Sequence, residues 1–345
     1  MTAFRTIAAS VAFGLALGVA AGAAPAVAQD KKVELRFSIW LPPQHPNVVV
    51  GGKWAESIGA ASNNSIKVTI YPAEQLGKAF DHHDMVANGI ADIGMINTGY
   101  EPGRHPIAGI TMVPFLMSNA RGGSRAFHEW YAKYAPKDIP AVRFCLGYAH
   151  DPGALHAKKK ITKPSEIKGM KIRPAQATIA DFVTLLGGTT VQASAPQARD
   201  VLEKGVADAI TFPWGSILLF GIDKAVTFHM DVPLYVTTFA FIMNKSRYDG
   251  LSPAQKKVMD DHCNVDWAGK VADPWAEFEA AGIAKLKGDP AHTVYKISDA
   301  ELAEWRQAAE PLRAKWAERA QQRGVKPDEV FADLQAALKK YDAAY

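Results

Sequence analysis

The sequence predicts an α/β protein built from two units that face each other across a cleft. From Ile167 to Trp214 the apolar period alternates between strand and helix. A strand ends at Arg173, a helix carries Ile179, Phe182, Val183 and Leu186 on one face, and a strand lies near Thr190 to Ala193. A second helix runs through Ala198, Val201 and Leu202 and stops at Gly205, which suits a left-handed residue just past a helix end, and a third strand spans Ala209 to Phe212. Earlier in the chain Val86 to Ile96 repeats the pattern of Leu202 to Phe212: helix end, Gly, branched residue, Ala, Asp, apolar strand. An aromatic follows each copy, Tyr100 in one and Trp214 in the other. Open sheets bind ligands beyond the carboxyl ends of their strands, so Arg173 and Trp214 are expected at the cleft, with Tyr100 brought to it from the facing unit.

The remaining elements follow in order. Val33 to Ile39 alternates as a first strand, and Trp40 to Pro46 is a loop stiffened by prolines at 42, 43 and 46, leading to a helix around Trp54 to Ile58. Ser65 to Tyr71 reads as the second strand, and Asn97 to Gly103 is a turn cluster at the end of the first repeated strand. Phe127 to Tyr134 is helical, and Val142 to Ala149 is a strand broken by His150-Asp-Pro-Gly153. Val232 to Asn244, rich in β-branched and aromatic residues, is one return strand crossing into the first unit. Ser252-Pro253 opens a helix, His292 to Ile297 is a strand, and Ser298 to Glu301 is a capping box. The helix after it carries Leu302, Trp305, Ala309, Leu312 and Trp316 on one side with a kink at Pro311, and a last helix after Pro327 buries Val330, Phe331, Leu334 and Leu338.

Met1 to Ala28 has the composition of a secretory signal: Arg5, an uncharged run from Ile7 to Ala24, and Ala26-Val27-Ala28 before Gln29. Cleavage is expected after Ala28, and no Cys follows to carry a lipid. Nothing beyond it is long and apolar enough to span a bilayer, so direct membrane insertion is not expected. Losing the signal moves the formal charge from +4 to +3, and the one tight basic run, Lys158 to Lys160, reads as a solvated edge, which excludes a nucleic-acid surface. Cys145 and Cys263 can pair in an oxidising compartment, although spacing does not establish that they do, and two thiols are too few for a Cys-rich zinc site.

No catalytic, cofactor or metal motif is present: no His-Glu-x-x-His, nucleophile elbow, phosphate loop, dinucleotide fingerprint or Cys-x-x-Cys. Adjacent His82 and His83 point apart on a helix and read as exposed. His150, at a strand end, is placed to donate a hydrogen bond to a ligand but has neither nucleophile nor orienting partner. Arg173 is the strongest site residue. It closes an apolar strand and precedes Pro174, which keeps the chain extended, and its planar fork matches a carboxylate. A small organic acid is the expected ligand.

Ser165-Glu-Ile-Lys-Gly-Met-Lys-Ile-Arg-Pro174, Val201-Leu-Glu-Lys-Gly-Val-Ala-Asp208 and Glu74-Gln-Leu-Gly77 resemble the solute-binding subunits of TRAP (tripartite ATP-independent periplasmic) transporters, of the dicarboxylate-binding-protein type. The resemblance implies a two-lobed periplasmic-binding-protein clamshell with mixed sheets, hinge strands and long C-terminal helices. It would close on an organic acid held by Arg173 and deliver it to membrane permease subunits. On this basis lobe I takes residues 29–149 with a return segment at about 236–275, and lobe II takes 150–235 with a C-terminal segment at about 276–345. Two departures remove polar contacts. Gly153 stands where sialic-acid binders of the family carry a second Arg, and the segment Thr211-Phe-Pro-Trp214 lacks the Asn frequent there. A compact or aromatic monocarboxylate stacked among Trp214, Phe212, Tyr100 and Trp40 is therefore expected over a sugar acid. The alternatives are an extracytoplasmic enzyme acting on an organic acid and the ligand-binding subunit of a sensor.

Overall fold

The computed structural model describes residues 30–345 and, ahead of them, Thr2 alone; the expected export signal and its cleavage point at Ala28 lie outside the described residues. Among the described residues eleven strands divide between two mixed sheets. β1 (Val33–Ser38), β2 (Ile66–Tyr71), β3 (Ile93–Asn97), β4 (Val142–Ala149) and β10 (Thr238–Asn244) form the first, in the order β2-β1-β3-β10-β4. β5 (Gly153–Ala157), β6 (Lys171–Arg173), β7 (Thr189–Thr190), β8 (Ala209–Phe212), β9 (Phe228–Tyr235) and β11 (Thr293–Lys296) form the second, in the order β11-β9-β5-β8-β6-β7. The α/β units recognised in the sequence supply the parallel pairs β1–β2, β1–β3, β6–β7 and β6–β8. β10 runs antiparallel to β3 and β4, as β5 does to β8 and β9.

The repeated Gly-x-Ala-Asp motif has a physical role in both copies. Gly89 and Gly205 end their helices at φ +73° and +68°, a region open to glycine. Three residues later the Asp latches onto the neighbouring parallel strand, within β1 for Asp92 and at the first residue of β6 for Asp208. Asp92 accepts from the Arg36 backbone N at 2.8 Å while its own N donates to the Arg36 carbonyl at 3.0 Å, and Asp208 makes the same pair with Lys171 at 2.8 and 2.7 Å. A carboxylate accepting a main-chain N–H of the adjacent strand fixes register, and register decides which face every side chain takes.

The chain crosses between sheets at residues 150–152 and again at Val236–Thr237. The run Val232 to Asn244, expected as one strand, is therefore two, because a chain changing sheets must leave one ladder before joining the other. His150 ties the two crossings together. Its Nε2 accepts from the Thr237 backbone N at 2.9 Å, and its Nδ1 donates to the Asp151 carbonyl. The helix Val265–Gly288 makes a further connection, packing on helices Pro46–Ala61 and Ala120–Asp138 at one end and on helix Trp214–Leu219 and β11 at the other. Pro274 in its middle lacks the N–H that the intrahelical ladder uses.

At Pro311 the structure ends one helix, Asp299–Ala309, and begins another, Pro311–Gln321, so the expected kink is a full break. Trp305 on the first donates to the Thr162 carbonyl at 2.8 Å, within the second sheet's layer. The last helix, Pro327–Lys340, packs against Ala120–Asp138 beside the first sheet, where Trp130 Nε1 donates to the Val330 carbonyl at 3.0 Å. The C-terminal segment thus straddles both halves.

Cys145 on β4 and Cys263, just before the helix Val265–Gly288, form a disulfide across 118 residues of sequence. Closing a loop of that length removes unfolded-state entropy worth about 4–5 kcal/mol in the chain-entropy view. Replacing both cysteines by Ser is expected to lower the unfolding free energy in urea titrations by an amount of that order, moving the midpoint down and steepening the transition, because the unbridged unfolded chain is more expanded. An unaltered midpoint would show that the bridge contributes nothing to stability.

Candidate ligand-binding site

The carboxyl edges of the two sheets face each other, and the space between them is a small cavity. Trp40 and Leu41 reach it from the end of β1, Asn97 and Tyr100 from the end of β3, His150 from the end of β4, and Thr237 and Phe239 from the start of β10. The second sheet contributes Arg173 and Ala175 at and beyond the end of β6, Phe212 and Pro213 at the end of β8, and Tyr235 at the end of β9. Trp275 of the helix Val265–Gly288 closes one side. The centre of a water-sized sphere has about 40 Å³ available. On a measure where one water needs roughly 10–15 Å³, that space suits a compact guest.

Arg173 is 1% exposed, although guanidinium groups are rarely buried without an acid partner. Its Nε donates to the Ala193 carbonyl at 2.9 Å and its Nη1 to the Thr211 carbonyl at 3.4 Å, while its guanidinium carbon sits 5.5 Å from the centre of the Phe212 ring. Those carbonyls orient the group, which lines the cavity beside Tyr100. Among the described residues no carboxylate pairs with it. An unpaired buried charge costs several kcal/mol, so the site is electrostatically incomplete and suited to an anion. Burial raises the hydroxyl pKa of both Tyr100 and Tyr235, against the opposing pull of the Arg173 charge, and both stay protonated donors.

The two halves are closed on one another. Ala177 N donates to the Gly99 carbonyl at 2.8 Å, Ala195 N to the Tyr100 hydroxyl at 2.9 Å, and Thr178 Oγ1 to the Gly109 carbonyl at 3.2 Å. A Cβ on Gly99 would lie 2.6 Å from the Gln176 Cβ, so glycine permits this approach. Behind the wall, buried Glu279 accepts from Trp275 Nε1 at 2.6 Å, from the Ser216 hydroxyl and from the backbone N of Gly215 and of Ser216, pinning helix Trp214–Leu219 to the long helix. Burial pushes its carboxyl up to about 7 despite those donors.

Of the residues singled out in the sequence, Arg173, Tyr100, Phe212, Trp40 and His150 converge on the cavity and Trp214 does not. The chain turns into a helix at Pro213, and Trp214, its first residue, packs behind the wall on Ala154 and Leu286, edge-on to His156 at 5.0 Å. The indole that does line the cavity is that of Trp275, whose ring lies 5.3 Å from Phe239. His150 has both ring nitrogens engaged with backbone, so neither is left for the ligand hydrogen bond expected of it. His82 and His83 are buried rather than exposed: His82 Nδ1 donates to the Met95 carbonyl at 3.0 Å, and His83 Nδ1 meets His105 Nε2 at 3.0 Å. Gly153, where relatives that bind sialic acid carry an Arg, faces Tyr235; a Cβ there would stand 2.9 Å from that ring, so no side chain fits. Sequence reasoning missed Tyr235, Thr237 and Phe239, hidden in a run read as one strand, and Trp275, whose signal was a Pro-Trp pair inside a long helix.

The sequence pattern of the bacterial extracellular solute-binding proteins, family 7, matches residues 37–320, and the chain belongs to that family. Several solved structures similar to it are TRAP solute-binding proteins. One from a marine metagenome, specific for aromatic acid ligands and crystallised with 3-hydroxybenzoate, is 31% identical, with a TM-score of 0.84 over 90% of this chain and 99% of its own. Another, from Rhodoferax ferrireducens T118 with copurified benzoate, is 27% identical with a TM-score of 0.84 and the same coverage. A third, from Bordetella bronchiseptica with bound (R)- and (S)-mandelate, is 28% identical with a TM-score of 0.83 over 89% of this chain and 99% of its own. The protein is a two-lobed TRAP solute-binding protein.

Burial holds the imidazoles of His45 and His105 down to about 3 and those of His128, His150 and His229 to about 4, so these rings are neutral in the folded chain. The unfolded chain protonates them near the ordinary value of about 6.5, so unfolding takes up protons and stability falls as pH drops from about 6.5 toward 4. Glu279, with its pKa raised to about 7, acts in the opposite sense, contributing stability at low pH that is lost as pH rises through about 7. With His83 also held to about 4, the lowered rings outnumber the carboxyls that burial raises, those of Glu279, Asp138, Asp151 and Glu101, and a tenfold change in proton affinity is worth about 1.4 kcal/mol, so urea titrations should show a loss of several kcal/mol between pH 7 and 4.5. Stability constant or rising toward pH 4.5 would contradict the burial of these rings as neutral groups.

Proposed function

We propose that the protein captures a small aromatic or compact monocarboxylate in the periplasm, with Arg173 as its anchor, and delivers it unchanged to the membrane subunits of a TRAP permease. The observation that carries this reading is a guanidinium 1% exposed, held by two backbone carbonyls and unpaired with any described acid, beside a cavity walled by Phe212, Phe239, Trp40, Trp275 and Tyr100. A ligand carboxylate supplies the counter-charge, and an aromatic ring fills the space between rings of the wall. The relatives that hold benzoate, 3-hydroxybenzoate and mandelate support the same ligand class. A Cys145–Cys263 disulfide suits an oxidising compartment. Catalysis has no support at the cavity, where His150 is fully engaged with backbone.

Capture works through closure. A ligand that touches both lobes gains contacts in the closed form that it lacks in the open one, and only that difference shifts the equilibrium. Lobe I is taken as the first sheet with its helices and lobe II as the second, with the crossings at His150 and Thr237 as hinges.

Two measurements test the reading. Small molecules freed by denaturing the purified protein should include an aromatic or compact monocarboxylate, identified unchanged by mass spectrometry. In calorimetry on stripped protein, Arg173→Ala should weaken binding of that acid by about 2–5 kcal/mol, and Arg173→Lys should recover only part, since an ammonium makes no planar fork. A loss under about threefold, near 0.7 kcal/mol, would remove Arg173 as the anchor.

A further inference from the structure

Three polar atoms of residues on the cavity wall have no hydrogen-bond partner among the described residues: Trp40 Nε1, Thr237 Oγ1 and the Tyr235 hydroxyl. Their residues are 3, 2 and 2% exposed, so bulk water does not reach them, and native interiors leave few such groups unpaired. They divide between the two halves of the site. Tyr235 ends β9 in the second sheet, on the side of Arg173. Trp40 follows β1 and Thr237 precedes β10, both at the edge of the first sheet, and the Trp40 ring lies 6.3 Å from that of Phe239, two residues beyond Thr237.

The chemistry of each half differs. An arginine fork and a phenol hydroxyl together satisfy a carboxylate. An indole N–H only donates, whereas a threonine hydroxyl either donates or accepts. That pair is complementary to one oxygen that accepts from the indole and exchanges a hydrogen bond with the hydroxyl, as a hydroxyl does and a keto oxygen does in part.

We propose that the ligand is an aromatic monocarboxylate bearing a second oxygen, a hydroxyl or keto group, which Trp40 Nε1 and Thr237 Oγ1 of the first lobe recognise while Arg173 of the second holds the carboxylate. This rests on the aromatic-acid reading above and narrows it. A ligand with a different polar group for each lobe draws the two together, because its second oxygen is paired only when the lobes close. Benzoate, of similar shape, leaves the indole N–H and the hydroxyl unpaired on closing, and sites built to hydrogen-bond a substrate group discriminate strongly against the analogue that lacks it.

The test is titration calorimetry on stripped, refolded protein with benzoate, the three monohydroxybenzoates, mandelate and phenylglyoxylate. At least one oxygenated acid should bind about tenfold or more tightly than benzoate. Trp40→Phe and Thr237→Val should each cut that ratio by about threefold or more, through loss of one hydrogen bond to the second oxygen. Thermal melts establish that each variant folds, and if one fails the other carries the test. Benzoate binding as tightly as the best oxygenated acid, or a ratio that survives in every folded variant, overturns the proposal and leaves the aromatic-acid reading standing. Failure of every acid removes both.

Discussion

The interaction on which the rest depends is the suspension of Arg173 between two backbone carbonyls, those of Ala193 and Thr211. Neutral acceptors fix the direction of a guanidinium without cancelling its charge, so the group is oriented yet remains a cation in want of an anion. Everything around it maintains that state. β6 and β8 run parallel and bring Arg173 and Thr211 to one edge, and the register of that pair is held by Asp208 latched to Lys171. The carbonyl of Ala193 comes from the segment that follows β7, the strand on the other side of β6. An acid in place of either carbonyl would neutralise the site.

The opposite wall is organised by hydrophobic packing. A single apolar cluster runs from Phe37, Trp54 and Phe241 in the first half, through Trp40, Phe239 and Trp275 at the cavity, to Phe212 and Ile217 in the second. Ligand burial therefore extends an existing core. The cavity wall is dense in aromatic rings, whose edge-to-face and offset contacts depend on ring orientation.

Much of this was legible in the chain. Arg173 was visible because a charged residue closing an apolar strand before a proline has few structural uses. The two Gly-x-Ala-Asp segments were visible as a repeat, but their purpose was not, because the partners of Asp92 and Asp208 lie 56 and 37 residues away, in strands whose pairing no local pattern specifies. The symmetry of an aromatic after each repeated strand misled at Trp214. Tyr100 lies in a turn and reaches the cavity, whereas Trp214 begins a helix, and the difference rests on Pro213. Trp275 comes from a helix in which its apolar neighbours are equally consistent with plain core, and the passage of Val236–Thr237 from one sheet to the other leaves no mark in a run that is apolar throughout.

The meeting of Gly99 with Gln176 has a further meaning. The separation of the lobes in the closed form is gauged by a single absent carbon, since a Cβ at position 99 would stand 2.6 Å from the one opposite. Gly99 sits in a turn beyond β3, outside the strand itself, so a methyl group there would act at the seam and leave the ladders intact. A chain bearing it would complete both lobes and still stand ajar by the width of one atom, with water admitted to a guanidinium that is otherwise buried. How tightly this receptor shuts is thus written in the smallest residue it contains.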